Sequence, residues 1–123
     1  MTINPVFSYD LAFSRNIGWL TTAEQQRLRQ ARIAIAGLGG VGGAHLLTLA
    51  RLGVGKFYIA DFDRFELQNF NRQVGATLST LGQPKTEVLA RMARDINPEL
   101  ELRLFAEGVQ PANLDAFLDG VDL

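Results

Sequence analysis

Short apolar runs of strand length alternate along this chain with longer stretches of helical periodicity. Arg32-Ile33-Ala34-Ile35-Ala36 is an apolar run containing two β-branched residues and predicts a buried strand. A glycine-rich turn follows, Gly37-Leu38-Gly39-Gly40-Val41-Gly42-Gly43, and then a helix over about 41–52 with Gly53 placed to stop it. Lys56-Phe57-Tyr58-Ile59-Ala60-Asp61 reads as a second strand. Pro84 fits the first turn of another helix, in which Val88, Leu89, Met92 and Ile96 recur at helical spacing before Asn97-Pro98 ends it. Leu100, Leu102 and Leu104 alternate with Glu101 and Arg103, which predicts a third strand near a sheet edge. Shorter signals flank this pattern. Residues 9–18 read as a short helix. A Thr cap followed three residues later by Glu24 opens a helix over about 22–30, and Pro111 to Leu118 reads as one more short helix.

Strand, helix, strand, helix, strand predicts an α/β fold, a Rossmann-like parallel sheet with helices on both faces. Such sheets bind ligands beyond the C-terminal ends of their strands, where the glycine turn and Asp61 both fall. Val121-Asp122-Leu123 reads as the opening of a fourth strand, and there the sequence stops. A half-begun strand leaves an open edge, so the expectation is a segment of a larger protein. In it, 1–31 form a helical lead-in and 32–123 the front part of the sheet domain.

Composition narrows the function. Apolar residues make up 47% of the 123, enough for a core, and the charged residues nearly cancel to a net −1. That balance argues against a nucleic-acid partner held by a broad basic surface, while leaving room for a small basic phosphate pocket. No apolar run approaches the roughly 20 residues of a membrane span. Met1 to Asp10 lacks the basic start and apolar run of a signal peptide, so a cytoplasmic location is expected. With no cysteine, disulfides, a cysteine-based zinc site and a cysteine nucleophile are excluded for this sequence.

Gly37, Gly39 and Gly42 form a G-x-G-x-x-G pattern between a predicted strand and helix. Glycine permits the tight turn and close backbone approach to a phosphate, and the helix start offers free N–H groups. Asp61, about 20 residues past the last of these glycines, stands where a ribose-binding carboxylate is expected. ATP and NAD fit equally well so far. The plainer alternatives are a turn needed only for packing and a strand-end carboxylate facing water. The segment from Asp61 to Lys85 adds more chemistry. Asp63 can hold the loop or a cation, Arg72 brings a planar fork suited to phosphate, and Lys85 a compact charge at a helix start. Asn69 and Gln73 can supply neutral hydrogen bonds. Such a set can surround a triphosphate, although each member alone also reads as a surface charge or turn residue. His45, the single histidine, reads as a packing or surface residue.

The ordered runs I-A-I-A-G-L-G-G-V-G-G, A-R-L-G-V-G-K-F-Y-I-A-D-F-D, N-F-N-R-Q, G-Q-P-K and D-I-N-P resemble the ThiF/MoeB-type adenylating enzymes, relatives of the ubiquitin-activating enzymes. The resemblance runs from about Tyr9 to the last residue. It implies an ATP-binding adenylation domain and an adenylyltransferase. That enzyme would activate the C-terminal carboxylate of a ubiquitin-like or sulfur-carrier protein, or of a peptide, as an acyl-adenylate with pyrophosphate released. It implies that Gly37, Gly39 and Gly42 line the nucleotide, that Asp61 binds ribose with Asp63 as companion acid, and that Asn69, Gln73, Arg72 and Lys85 lie near the phosphates. Arg72 and Lys85 carry the catalytic charge in this reading. Arg15, in S-R-N-I-G, resembles an arginine that reaches the ATP of a partner subunit, which implies a homodimer. Mg2+ is implied as well, with its ligand expected beyond Leu123. No metal ligand is assigned here, not even Asp122. The isolated chain is then expected to bind nucleotide poorly and not to turn over alone. Two other functions remain open: an NAD-dependent oxidoreductase, which leaves Arg72 and Lys85 without a role, and a noncatalytic scaffold subunit of the same family.

Overall fold

Three five-residue strands form one parallel sheet in the order β1-β2-β3: β1 Arg32–Ala36, β2 Lys56–Ala60 and β3 Glu101–Phe105. The computed structural model describes residues 6–123. Residues 1–5, the start of the expected lead-in and part of the stretch read for a signal peptide, lie outside the described residues. The register sets Ile33, Phe57 and Leu102 side by side, then Ile35, Ile59 and Leu104. Alternate side chains of a strand point to opposite faces. This row meets α3 (Gly42–Leu52) and α4 (Lys85–Ile96) through Leu46, Ala50, Val88 and Leu89, which form the main core. The opposite row, Ala34, Tyr58, Ala60 and Phe105, packs on Phe117 of α5 (Leu114–Phe117). Helices therefore cover both faces, as expected, and β3 is an edge strand. Asp122 and Leu123 lie along the other edge, where Asp122 N–H donates to Arg32 O at 2.8 Å and Ala34 N–H to Leu123 O at 2.9 Å.

The predicted boundaries shift by small amounts for local reasons. Pro84 is the N-cap of α4 rather than part of its first turn. Residues 9–18 divide into α1 (Tyr9–Ala12) and a 3-10 turn over Ser14–Asn16. Pro111 to Asn113 stay outside α5 because the Asn113 side chain holds them in a turn, its Oδ1 accepting from Gln110 N–H at 2.7 Å. No helix among the described residues is long and apolar enough to cross a membrane.

The N-terminal elements are fastened by a buried polar network. Tyr9 donates its hydroxyl to Gly53 O, while Gln25 of α2 (Thr22–Gln30) donates to the Tyr9 hydroxyl and to Leu52 O, each at 3.0 Å. Burial pushes the Tyr9 phenol above its ordinary pKa. At the start of α2, Thr21 and Glu24 form a reciprocal capping box: Thr21 Oγ1 accepts from Glu24 N–H at 3.1 Å, and Glu24 Oε1 accepts from Thr21 N–H at 2.9 Å. The backbone N–H of Thr21, and then its hydroxyl, hold the Glu24 carboxyl below its ordinary pKa. A lowered folded-state pKa gives stability that is present above the unfolded pKa and is lost as pH falls through the folded value. Thr21→Ala is expected to cost about 1 kcal/mol at neutral pH by urea denaturation. An unchanged midpoint would show that the cap contributes nothing.

Candidate functional site

The site is built where β1 and β2 end. Gly37, just past β1, has φ +90°, a left-handed conformation that a side chain resists, and its N–H donates to Ala60 O at 2.7 Å. The loop then doubles back so closely that a Cβ on Gly42 would collide with Gly37 O. Val41 caps α3 without a side-chain hydrogen bond, so the first N–H groups of this 11-residue helix have no side-chain acceptor from their cap. A helix start in that condition attracts anions.

Asp61 ties this loop to the segment that follows β2. One carboxylate oxygen accepts Leu38 N–H and the other Asp63 N–H, both at 2.7 Å. An ionised carboxylate has about four acceptor directions, so each oxygen keeps capacity for a ligand hydroxyl. Asp63 is exposed, and its carbonyl accepts Lys85 N–H at 3.0 Å. Phe65 N–H to Gln83 O at 3.0 Å and Gly82 N–H to Phe65 O at 2.9 Å extend that pairing and fix the start of α4 beside the loop.

Two buried polar side chains meet the glycine loop. Lys85 is only 5% exposed. Its ammonium has no carboxylate within 4.0 Å and no hydrogen bond among the described residues; it faces the Phe65 ring, 5.6 Å from the centroid. Gln73 is 7% exposed, and its Oε1 has no partner. A Cβ built on Gly39 would lie 3.4 Å from Gln73 Nε2 and 3.9 Å from Lys85 Nζ, so the missing side chain leaves one space bounded by ammonium, amide and loop. Most of the lysine stem is buried, and its unpaired ammonium stands at the edge of this space, where an anion can pair with it. The arrangement suits a multiply charged anion.

The other predicted residues are dispersed. Asn69 is buried, and its Oδ1 accepts Glu66 N–H at 2.8 Å, closing the turn that leads to Gln73. Arg72 is exposed and folds back on its own loop, donating to Gln68 O at 3.1 Å and Asn71 Oδ1 at 3.0 Å; it makes no hydrogen bond to the glycine loop among the described residues. Arg15 is exposed on the 3-10 turn between buried Phe13 and Asn16, whose side chain donates to Gln25 Oε1 and Leu52 O at 3.1 Å. His45 is exposed on α3, as a surface residue. Sequence reasoning missed a cavity of about 160 Å³ beside Asp61, floored by Ala36 and Ala60 and walled by Phe62, Gly108 and Val109. Glu107-Gly108 after the third strand was the one signal of a turn there.

Known proteins bear on which ligand such a site takes. The ThiF family model matches residues 13–123. The chain is 37% identical over 113 residues to the tRNA threonylcarbamoyladenosine dehydratase of Haemophilus influenzae, covering 91% of this chain and 43% of the relative. It is 38% identical over 109 residues to "Probable adenylyltransferase/sulfurtransferase MoeZ" of Mycobacterium tuberculosis, covering 80% and 27%. The crystal structure of the Escherichia coli tRNA N6-threonylcarbamoyladenosine dehydratase TcdA in complex with ATP matches with a TM-score of 0.86 at 30% identity, covering 94% of this chain and 49% of that one. The chain spans less than half the length of each of these relatives.

An ammonium without a counter-ion, held for a ligand, contributes little to the unliganded fold. Lys85→Met, which keeps the volume and removes the charge, is expected to leave the urea midpoint unchanged or raise it. A midpoint lowered enough to mean a loss of more than about 1 kcal/mol in unfolding free energy would show that the ammonium stabilises the fold itself.

Proposed function

The chain belongs to the ThiF family, and from that membership we propose that it forms the nucleotide-binding part of an ATP-dependent adenylating enzyme. In this reading 32–123 are the front of the ATP-binding domain and 1–31 its lead-in. The observation that carries the proposal is the unpaired ammonium of Lys85, a side chain only 5% exposed, facing the glycine loop beside the Gln73 amide. ATP binding is supported by the related TcdA structure, which holds ATP. A dinucleotide would use the glycines and Asp61 but leave Lys85 and Gln73 idle.

The substrate carboxylate attacks the α-phosphorus of ATP. A bond forms between carboxylate oxygen and phosphorus, and the bond to the bridging oxygen breaks. Pyrophosphate leaves with the electron pair, and an acyl-adenylate remains. Gly37, Gly39 and Gly42 let the backbone approach the nucleotide, Asp61 accepts from the ribose, and Asp63 acts as its companion acid. Lys85, Gln73 and Asn69 hold the phosphates in place and neutralise their charge. Arg72, held only by hydrogen bonds within its own loop, re-aims toward them. Such positioning and charge neutralisation constitute most of the catalysis in this class of reaction. Mg2+ accompanies ATP. Arg15, presented outward between two fastened residues, serves the site of a second copy in a homodimer.

The acceptor proposed first is the C-terminal carboxylate of a ubiquitin-like or sulfur-carrier protein, or of a peptide. A second reading is favoured by the relatives named as tRNA threonylcarbamoyladenosine dehydratases: the carboxylate of a threonylcarbamoyl group carried on tRNA. Both require the same ATP chemistry.

ATP–pyrophosphate exchange by the full-length protein, with magnesium and each acceptor in turn, tests the proposal. Exchange that depends on one acceptor is expected. Arg72→Ala and Lys85→Ala should each slow it roughly ten- to a hundredfold, as the loss of a charge-assisted contact worth about 1.5–3 kcal/mol. Unchanged exchange in both variants would remove their assigned roles, and thermal stabilisation by NADH but not by ATP would overturn the reading.

A further inference from the structure

Resting on the nucleotide reading and on Arg15 as the arm lent to a second copy, we propose that Asn16 is the positioning residue of that arm. It joins the turn that carries Arg15 to the C-terminal end of α3, and so sets the reach of Arg15 into the other copy's nucleotide site.

Distance rules out service to the same chain. α3 starts at the glycine loop and ends at Leu52, about 15 Å away along the helix axis. The turn over Ser14–Asn16 is bonded to that far end, where Asn16 Nδ2 donates to Leu52 O at 3.1 Å. An arginine side chain spans much less than the length of α3, so Arg15 serves a nucleotide only in another copy. Arg15 is exposed and forms no ion pair among the described residues.

The anchor consists of two hydrogen bonds from one amide. The last carbonyls of a helix have no partner within it. Leu52 O takes Asn16 Nδ2 and also, at 3.0 Å, Gln25 Nε2. The other Asn16 amide proton goes to Gln25 Oε1 at 3.1 Å. Gln25 is 4% exposed and donates in turn to the Tyr9 hydroxyl. Asn16 O accepts Leu20 N–H at 2.9 Å and Trp19 N–H at 3.1 Å, which closes the chain behind Arg15, and buried Phe13 holds it in front. Within the turn, the Ser14 hydroxyl bonds back to Leu11 O and Arg15 faces solvent, so Asn16 is the residue whose side chain reaches α3. α3 thus offers its first N–H groups to the nucleotide of its own copy, and through Asn16 carries Arg15 toward the nucleotide of the other. Without these two bonds Tyr9 and Gln25 still clamp α3, but the turn loses its fixed height. A contact to phosphate weakens steeply when its donor is misplaced.

The test uses the full-length protein as mixed dimers, co-expressed with two affinity tags and purified through both, with ATP affinity read by calorimetry in the presence of magnesium. Asn16→Ala homodimers are expected to bind ATP about tenfold more weakly. Asn16→Asp, which keeps the shape and removes both donors, should lose as much. Lys85→Ala weakens ATP in its own copy's site. A mixed dimer of Asn16→Ala with Lys85→Ala then holds one site that has its own Lys85 and a correctly held Arg15 from the other copy, so half its sites should regain wild-type affinity. A mixed dimer of Asn16→Ala with Arg15→Ala holds no such site and should regain none. No recovery with Lys85→Ala would make Asn16 a structural residue of its own chain and overturn the proposal. So would wild-type affinity in the Asn16→Asp homodimer, or a monomeric wild-type protein that binds ATP, with the nucleotide reading left standing in each case. A wild-type protein that binds no ATP ends the nucleotide reading, and this inference with it.

Discussion

A single carboxylate couples the two halves of the site. Asp61 accepts Leu38 N–H from the glycine loop and Asp63 N–H from the segment beyond β2, and Asp63 in turn accepts Lys85 N–H at the start of α4. Through this relay the end of β1, the end of β2 and the first residue of α4 take fixed positions around one space. The relay is short and mostly main-chain, so the geometry depends little on flexible side chains. It also explains how a lysine far beyond Asp61 in sequence comes to face Gly39.

The surroundings supply the stability that the site withholds. An uncapped helix start, an ammonium without a counter-ion and an amide oxygen without a partner each disfavour the unliganded state. They are tolerated because the helix rows of Leu46, Ala50, Val88 and Leu89 close tightly on Phe57 and Ile59, and because Tyr9 and Gln25 clamp the N-terminal elements to the end of α3. Local rules of capping and pairing are followed throughout α2 and broken at the glycine loop, the pattern expected of a binding site.

The sheet was legible because each strand carries its own signal. The β-branched run of β1 and the alternation in β3 are local, and the glycines between β1 and α3 leave one topology open. Asp61 was legible for the same reason, being at a strand end. Gln73 and Lys85 were nameable as polar residues, but their burial was not, because it follows from the pairing of residues 63–65 with 82–85 across a long connection. Arg72 shows the converse: a residue type suited to phosphate whose guanidinium is held by its own loop. The cavity beside Asp61 was not legible: Phe62 is a loop aromatic and Gly108 a turn glycine, and only the approach of the turn after β3 to the end of β2 brings them together.

The most direct measurement is a crystal structure of the full-length protein with ATP. Phosphate oxygens within hydrogen-bond reach of Lys85 Nζ and a ribose hydroxyl on Asp61 are the predicted result. A bound nucleotide whose phosphates leave Lys85 unpaired, or which lies away from the glycine loop, would contradict the assignment of this site.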